Sequence, residues 1–154
     1  MQRQIPLASL ADHVGLRLGP SSGILVDQGR IDRFADLTND HQWIHVDVER
    51  ATREAGGTIA HGYLTTSLIP ALTASLLTIT GVGHGFNYGS NKVRFLAPVR
   101  SGQSVHAFMT IKGIEAKRQG WLLTSVVELF VAGSETPVCV AEILALLHAG
   151  EAAL

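Results

Sequence analysis

Cysteine is nearly absent from this chain: Cys139 stands alone among 154 residues. One thiol closes no internal disulfide and builds no thiolate metal cluster, which excludes a disulfide scaffold and suits a reducing, cytoplasmic setting. Charge is also sparse. Asp, Glu, Lys and Arg make up 16% of the sequence, against about 25% in an average soluble domain, so part of the surface is expected to be covered in an oligomer. Twelve basic and thirteen acidic residues leave a net charge of −1, and such a balance offers no basic field to draw in nucleic acid. Met1 to Leu10 lacks a basic start followed by an apolar stretch, so no secretory leader is expected. The most apolar run, Leu64 to Ile79, is interrupted by Pro70 and several Ser and Thr, and it falls short of the ~20 apolar residues a membrane span needs. A serine-hydrolase elbow of the form Gly-x-Ser-x-Gly and a phosphate-binding Gly-Lys-Ser/Thr loop are both missing. The glycine-rich Gly81-Val82-Gly83-His84-Gly85 follows a helix-like pattern rather than a strand, so it fails the context test for a dinucleotide fingerprint. No repeat, low-complexity tract or linker divides the chain, and its length predicts a single domain over residues 1–154.

What is present orders itself as helices first and strands second. Apolar residues make up 46% of the sequence, enough for a self-sufficient core at this length. Ile24 to Val26 reads as a short strand. Ile31, Phe34 and Leu37 recur at helical spacing, and Val48 to Ala55 reads as a short amphipathic helix stopped by Gly56-Gly57. From about Tyr63 to Thr80 the pattern predicts one long helix, apolar nearly all round, which something must cover on every side. Phe86–Leu96, Ser104–Ala116, Trp121–Val131 and Val138–His148 then read as long strands separated by turn signals. Helices followed by an antiparallel meander argue for an α+β fold in which four or five strands curl about one helix. Its edge strands would be available for pairing with another subunit.

Two clusters carry candidate chemistry. Thr38 to Asp47 packs two carboxylates and two imidazoles into a polar segment, with Trp43 and Ile44 expected to anchor it to the core. An Asp beside a His is a natural acid/base pair, because imidazole titrates near neutral pH and a carboxylate orients it or shares a water with it. Asp40, His41, His45 and Asp47 are all metal-ligand types as well, but no second ligand cluster accompanies them and no metal is expected. The second cluster is Thr58 to Leu64, where Gly62 sits at the entry to the long helix. Unpaired amides at a helix start can grip a carbonyl oxygen, and glycine lets a ligand approach the backbone; His61 reads as a cap or core residue. Strict alternation from Phe86 to Phe95 places Asn87, Gly89 and Asn91 on the same face as Val93 and Phe95, a core face that turns small and polar as either a cavity wall or a frayed strand end near solvent would. Lys92 and Arg94 fall on the opposite face as solvated charge.

Together, Asp40-His41-Gln42-Trp43-Ile44-His45-Val46-Asp47, Gly57-Thr58-Ile59-Ala60-His61-Gly62, Asn87-Tyr88-Gly89, Lys92-Val93-Arg94-Phe95 with Ala97-Pro98-Val99, and Pro137 to Glu142 resemble the MaoC-like dehydratases. That family includes the (R)-specific enoyl-CoA hydratases and a nodulation-protein-N-like branch, and the likeness runs from about Ile31 to Leu147. It implies a hot-dog fold, an antiparallel sheet wrapped around a long central helix. It also implies a homodimer with active sites near the subunit interface, and an acyl thioester of CoA as substrate without a metal or redox cofactor. Residue by residue, it implies acid/base roles for Asp40 and His45 and an oxyanion role for the Gly62 amide. Gln42, Tyr63, Leu64, Asn87, Gly89 and Asn91 are the expected substrate-binding residues. Gln42 and Trp43 replace the Asn and Pro of the hydratase motif Asp-x-Asn-Pro-x-His, as in the nodulation-like branch, and Pro70 stands where some hydratases carry a serine.

The expected reaction is reversible hydration of a trans-2-enoyl-CoA to an (R)-3-hydroxyacyl-CoA. A hot-dog thioesterase and a non-catalytic acyl-CoA-binding protein are the alternatives. The Asp-x4-His pairing favours hydration, because protonating C2 requires a proton donor as well as a base.

Overall fold

A computed structural model describes residues 2–150. Its elements are β1 (Arg3–Pro6), a 3-10 segment (Leu7–His13), β2 (Arg17–Leu18), β3 (Ile24–Val26) and α1 (Gln28–Thr38). There follow α2 (Trp43–Val46), α3 (Val48–Ala55), α4 (Gly62–Ser67), α5 (Ile69–Ala74), β4 (Leu77–Thr80), β5 (Val82–Phe95), β6 (Gln103–Lys117), β7 (Gly120–Val131) and β8 (Cys139–Ala149). The main sheet runs β2-β6-β7-β8-β5, with β3 also paired to β6. Every pairing in it is antiparallel. Among the described residues no helix is long and apolar enough to cross a membrane.

Local chemistry sets the helix ends. Asp27 caps α1 by accepting from the Arg30 amide, and Asn39 closes it in the left-handed region at φ 57°. Asp47 caps α3 in the same way through the Arg50 amide, and Gly56 closes it at φ 73°. Both ends follow the preference for Asp at the start of a helix and for Asn or Gly at its left-handed stop. In β6 and β7, period-2 alternation aims Val105, Ala107, Met109 and Ile111, and Leu123, Val127 and Leu129, at one buried face. Leu64 of α4, Leu68 at the junction, and Ile69 and Leu72 of α5 pack into that core with Cys139 and Ala141 of β8.

The long helix expected from Tyr63 to Thr80 is shorter and broken. It stops at Ala74, and Leu77–Thr80 is a strand paired in parallel with Arg3–Pro6. Pro70 sits in the first turn of α5, where its missing N–H is tolerated, and divides α4 from α5 at Leu68. Beyond Ala74 the β-branched residues Thr78, Ile79 and Thr80 favour an extended chain. The β1 residues thereby acquire a structural task. Ile5 is fully buried in a second cluster with Leu10, Ile111, Leu123 and Leu147. Nor is the helix covered on every side: the sheet covers one side, and Tyr63, Ser67, Pro70, Ala71 and Ala74 form an exposed stripe.

Two consequences are measurable. Leu72 is fully buried, so Leu72→Ala should cost about 2–5 kcal/mol of unfolding free energy in a urea titration. Cys139 is fully buried, and desolvation pushes its thiol up to about 11. The folded protein should therefore resist a disulfide thiol reagent at mildly alkaline pH and react at one thiol per chain once unfolded.

Candidate active site

Two segments far apart in sequence meet beside the start of α4. The first leaves α1 at Asn39, passes Asp40 and forms the single turn α2, which begins after Gln42. Trp43 and Ile44 are only half-buried. They anchor the turn differently from expectation: the Arg50 guanidinium lies 4.2 Å above the Trp43 ring, and the Ile44 carbonyl accepts from the Ile59 amide at 3.1 Å. The second segment is Thr58–Ala60. It is held on its other side by Ala60 N donating to Val99 O at 2.7 Å, and by the bridge between Ile59 and Arg100. Arg100 Nη1 also donates to Ala55 O at 2.9 Å, closing the two-glycine turn that leads in.

His45 is 9% exposed. Its Nδ1 lies 2.7 Å from the Ile59 carbonyl oxygen. A ring nitrogen against a carbonyl bonds only as an N–H donor, so the proton of the neutral ring is on Nδ1 and Nε2 keeps its lone pair. His61 is 4% exposed, and its Nε2 donates to the Asp40 carbonyl at 2.9 Å. The two imidazoles stack with centroids 3.8 Å apart and planes tilted by 24°. Side-chain ligand atoms of Asp40, His45 and His61 lie within 4.8 Å of one another. A single metal ion would need to lie in both ring planes at about 2.0–2.1 Å from each nitrogen. Nearly parallel stacked rings do not aim their lone pairs at one point. Of the other ligand types in the segment, His41 pairs with Asp36 at 2.9 Å and Asp47 caps α3.

Gly62 is the first residue of α4, where an amide has no intrahelical acceptor. A Cβ built there would come within 2.9 Å of the Phe95 ring, so the glycine admits that ring against the helix start. His45 and Gly62 line one cavity of about 340 Å³ together with Ile59, Ala60, Thr65 and Phe95. Three of the expected site residues therefore converge spatially: Asp40 lies beside His45, and His45 shares one cavity with Gly62.

The expected substrate-binding residues scatter. Gln42 is exposed at the start of α2. Leu64 is buried in the core, whereas Tyr63 is 79% exposed and touches Phe95 edge-on. Asn87 lines a separate cavity of about 640 Å³ between α5 and the β5–β8 pair. Gly89 and Asn91 depart from the face expected for them. Register shifts at Tyr88 and Asn91 place Asn87, Ser90 and Val93 opposite Ala145, Ile143 and Ala141, and turn Gly89 to the other face opposite Leu144. Each bulge adds one unpaired residue and reverses the alternation. Asn91 instead donates to Glu142 at 2.6 Å on the outer face. There Lys112 and then Asn91 hold the Glu142 carboxyl below the usual carboxylate range.

Sequence reasoning misses Gln28. Its amide nitrogen donates to His45 O and to Asp32 Oδ1, each at 2.8 Å, and its oxygen accepts from the Thr58 hydroxyl. Its site partners lie 17 and 30 residues away, a separation that leaves no local signal.

Residues 11–130 match the family model described as the MaoC like domain. The chain is 44% identical over 138 residues to "3-hydroxyacyl-thioester dehydratase Z" of Mycobacterium tuberculosis (strain ATCC 25618 / H37Rv), covering 88% of this chain and 91% of that protein. It is 42% identical over 125 residues to "Nodulation protein N" of Rhizobium leguminosarum bv. viciae, covering 79% and 78%. Among solved structures, the (R)-hydratase from A. caviae involved in PHA biosynthesis superposes with a TM-score of 0.71 at 23% identity, over 87% of this chain and 96% of that one. That likeness is one of fold.

Replacing Gln28 by Leu leaves His45 O and the Thr58 hydroxyl without their partner. Urea unfolding of this variant should show a loss of about 1–3 kcal/mol.

Proposed function

The chain belongs to the MaoC-like dehydratase family, a hot-dog α+β lyase of the hydratase/dehydratase type, and from that premise we propose that it reversibly hydrates a trans-2-enoyl-CoA to an (R)-3-hydroxyacyl-CoA. The observation that carries this reading is the arrangement at the smaller cavity. An imidazole whose Nε2 lone pair is left free stands beside a carboxylate, and it shares the cavity with the first amide of α4.

In this mechanism the Gly62 N–H donates to the thioester carbonyl. Electron density drawn to that oxygen makes C3 electrophilic and stabilises the enolate-like transition state. Asp40 and His45 hold one water between them. One of the pair takes a proton from the water as its oxygen bonds to C3, and the pair returns a proton to C2. Base and acid are assigned here to the pair and not to either residue alone. No metal and no redox cofactor enters this scheme; CoA takes part only as the substrate's thiol ester. The apolar wall of the larger cavity, with Ile69, Leu77, Ile79, Val82 and Ile143, suits an acyl chain, and Asn87 marks its polar side.

The functional unit in this reading is a homodimer. β5 is a 14-residue strand at the end of the sheet order, and it carries exposed Phe86, Tyr88 and Phe95. Long apolar edge strands invite pairing with another chain, and the exposed helix stripe offers further surface to a second copy. A soluble cytoplasmic enzyme fits the unpaired, buried Cys139.

Purified protein given crotonyl-CoA, then a longer trans-2-enoyl-CoA, should deplete the enoyl-thioester absorbance without releasing free thiol. Thiol release with the band unchanged would instead identify a thioesterase. Asp40→Asn and His45→Ala should each slow hydration by about 10²–10⁴-fold while the circular dichroism spectrum stays native; hydration near the wild-type rate in either variant rejects the assignment. Light scattering should report twice the 16.4 kDa chain mass.

A further inference from the structure

We propose that His61 is a positioning residue for the acid/base pair, acting through its Nε2–H on the Asp40 backbone and through its ring face on His45. This rests on the hydratase reading above and adds a second imidazole N–H bond to the one that His45 makes. Five observations carry the proposal. His61 is buried at 4% exposure, and its Nε2 donates to the Asp40 carbonyl across 21 residues of sequence. Its ring stacks on His45 at 3.8 Å and is backed on α1 by Phe34, with centroids 5.1 Å apart. Its Nδ1 is the one buried side-chain polar atom among the described residues that lacks a hydrogen-bond partner.

A residue present only to fill space would not need an imidazole at this position. An apolar ring of similar size would pack against Phe34 and His45 and leave no buried nitrogen unpaired. The nitrogen that is used, Nε2, reaches the residue whose carboxylate stands beside His45. Asp40 follows the left-handed Asn39 at the end of α1, and beyond its own amide bond to Ala35 O its backbone is held by this one donor. Fixing the Asp40 carbonyl fixes the peptide plane from which its carboxylate projects, and the stacked ring limits rotation of His45 about its Nδ1–H bond to Ile59. Displacing either partner by about 1 Å is enough to cost on the order of 10²-fold in rate. The titratable groups that face the His61 ring are Asp40, from the segment after α1, and His45, from α2; α1 itself presents the uncharged Phe34.

The test separates donor from filler. His61→Phe keeps an aromatic ring and loses the donor. His61→Gln carries an amide N–H at the ε position, and His61→Asn carries one a bond too short. Hydration of crotonyl-CoA by His61→Phe and His61→Asn should fall about 100-fold in kcat with KM changed less than threefold, because His61 acts on the pair and not on the thioester. His61→Gln should recover at least tenfold of that loss. Equal losses in the Phe and Gln variants, or a Phe variant within threefold of wild type, overturn the proposal. Should His61→Phe not fold, the Gln and Asn variants decide on the same criterion. Nitrogen-15 shifts of the wild-type histidines at neutral pH give a readout independent of turnover: the His61 proton is expected on Nε2, and a proton on Nδ1 overturns the proposal. A wild-type protein that hydrates no enoyl-CoA yet shows the Nε2–H tautomer would reject the functional reading and leave the hydrogen bond standing.

Discussion

Two imidazole N–H groups, each donated to a backbone carbonyl of the other's segment, are the constraint on which this site depends. His45 on α2 reaches Ile59 beside the sheet, and His61 at the start of α4 reaches Asp40 beyond the end of α1. The bonds cross, so neither segment can slide without breaking one of them. Both rings are buried, where an unpaired donor is costly, and this makes the crossed arrangement self-enforcing. Gln28 adds a third tie by joining α1 to His45 O and Thr58. The sheet supplies the fixed reference, because Thr58–Ala60 is tied to Val99 and Arg100 just before β6.

The same bonds bear on the proposed chemistry. Committing Nδ1 of His45 to a carbonyl leaves its Nε2 able to accept a proton, and the neighbouring carboxylate can share that proton. The cavity walls around them are chiefly apolar: Ile59, Ala60, Phe95, Leu96 and Val99. In such surroundings the pull of a backbone amide on a carbonyl oxygen is stronger than in water. Gly62 contributes twice. Its lack of a side chain admits the Phe95 ring, and its place as the first residue of α4 leaves its amide without a partner inside the helix.

Much of this is legible in the sequence, for physical reasons that differ by element. β3 and α3 show in short-range signals, a brief apolar run in one case and amphipathic spacing with paired glycines in the other, and the structure reproduces both sets of bounds. The long strands show in their alternation. The bulges in β5 do not, because a register shift is decided by the partner strand, and strict alternation misplaces Gly89 and Asn91 for that reason. The segment after Ala74 reads as helix because its apolar residues continue the helical pattern. Its extended form depends on β1, more than seventy residues earlier, which no local pattern connects to it. At the site, the spacing of Asp40, His45 and Gly62 is visible as a motif. The support from Gln28 is not, since its partners lie 17 and 30 residues away; His61 stands inside the motif, but its bond to Asp40 shows only once the chain is packed.

The most direct test of the account is the destination of solvent oxygen. When the protein turns over a trans-2-enoyl-CoA in water enriched in oxygen-18, mass spectrometry should find one labelled oxygen in the 3-hydroxyl of an intact acyl-CoA. Label in a free carboxylate, with CoA released, would show that the water attacks the thioester carbon, and would contradict hydration at C3 by Asp40, His45 and Gly62.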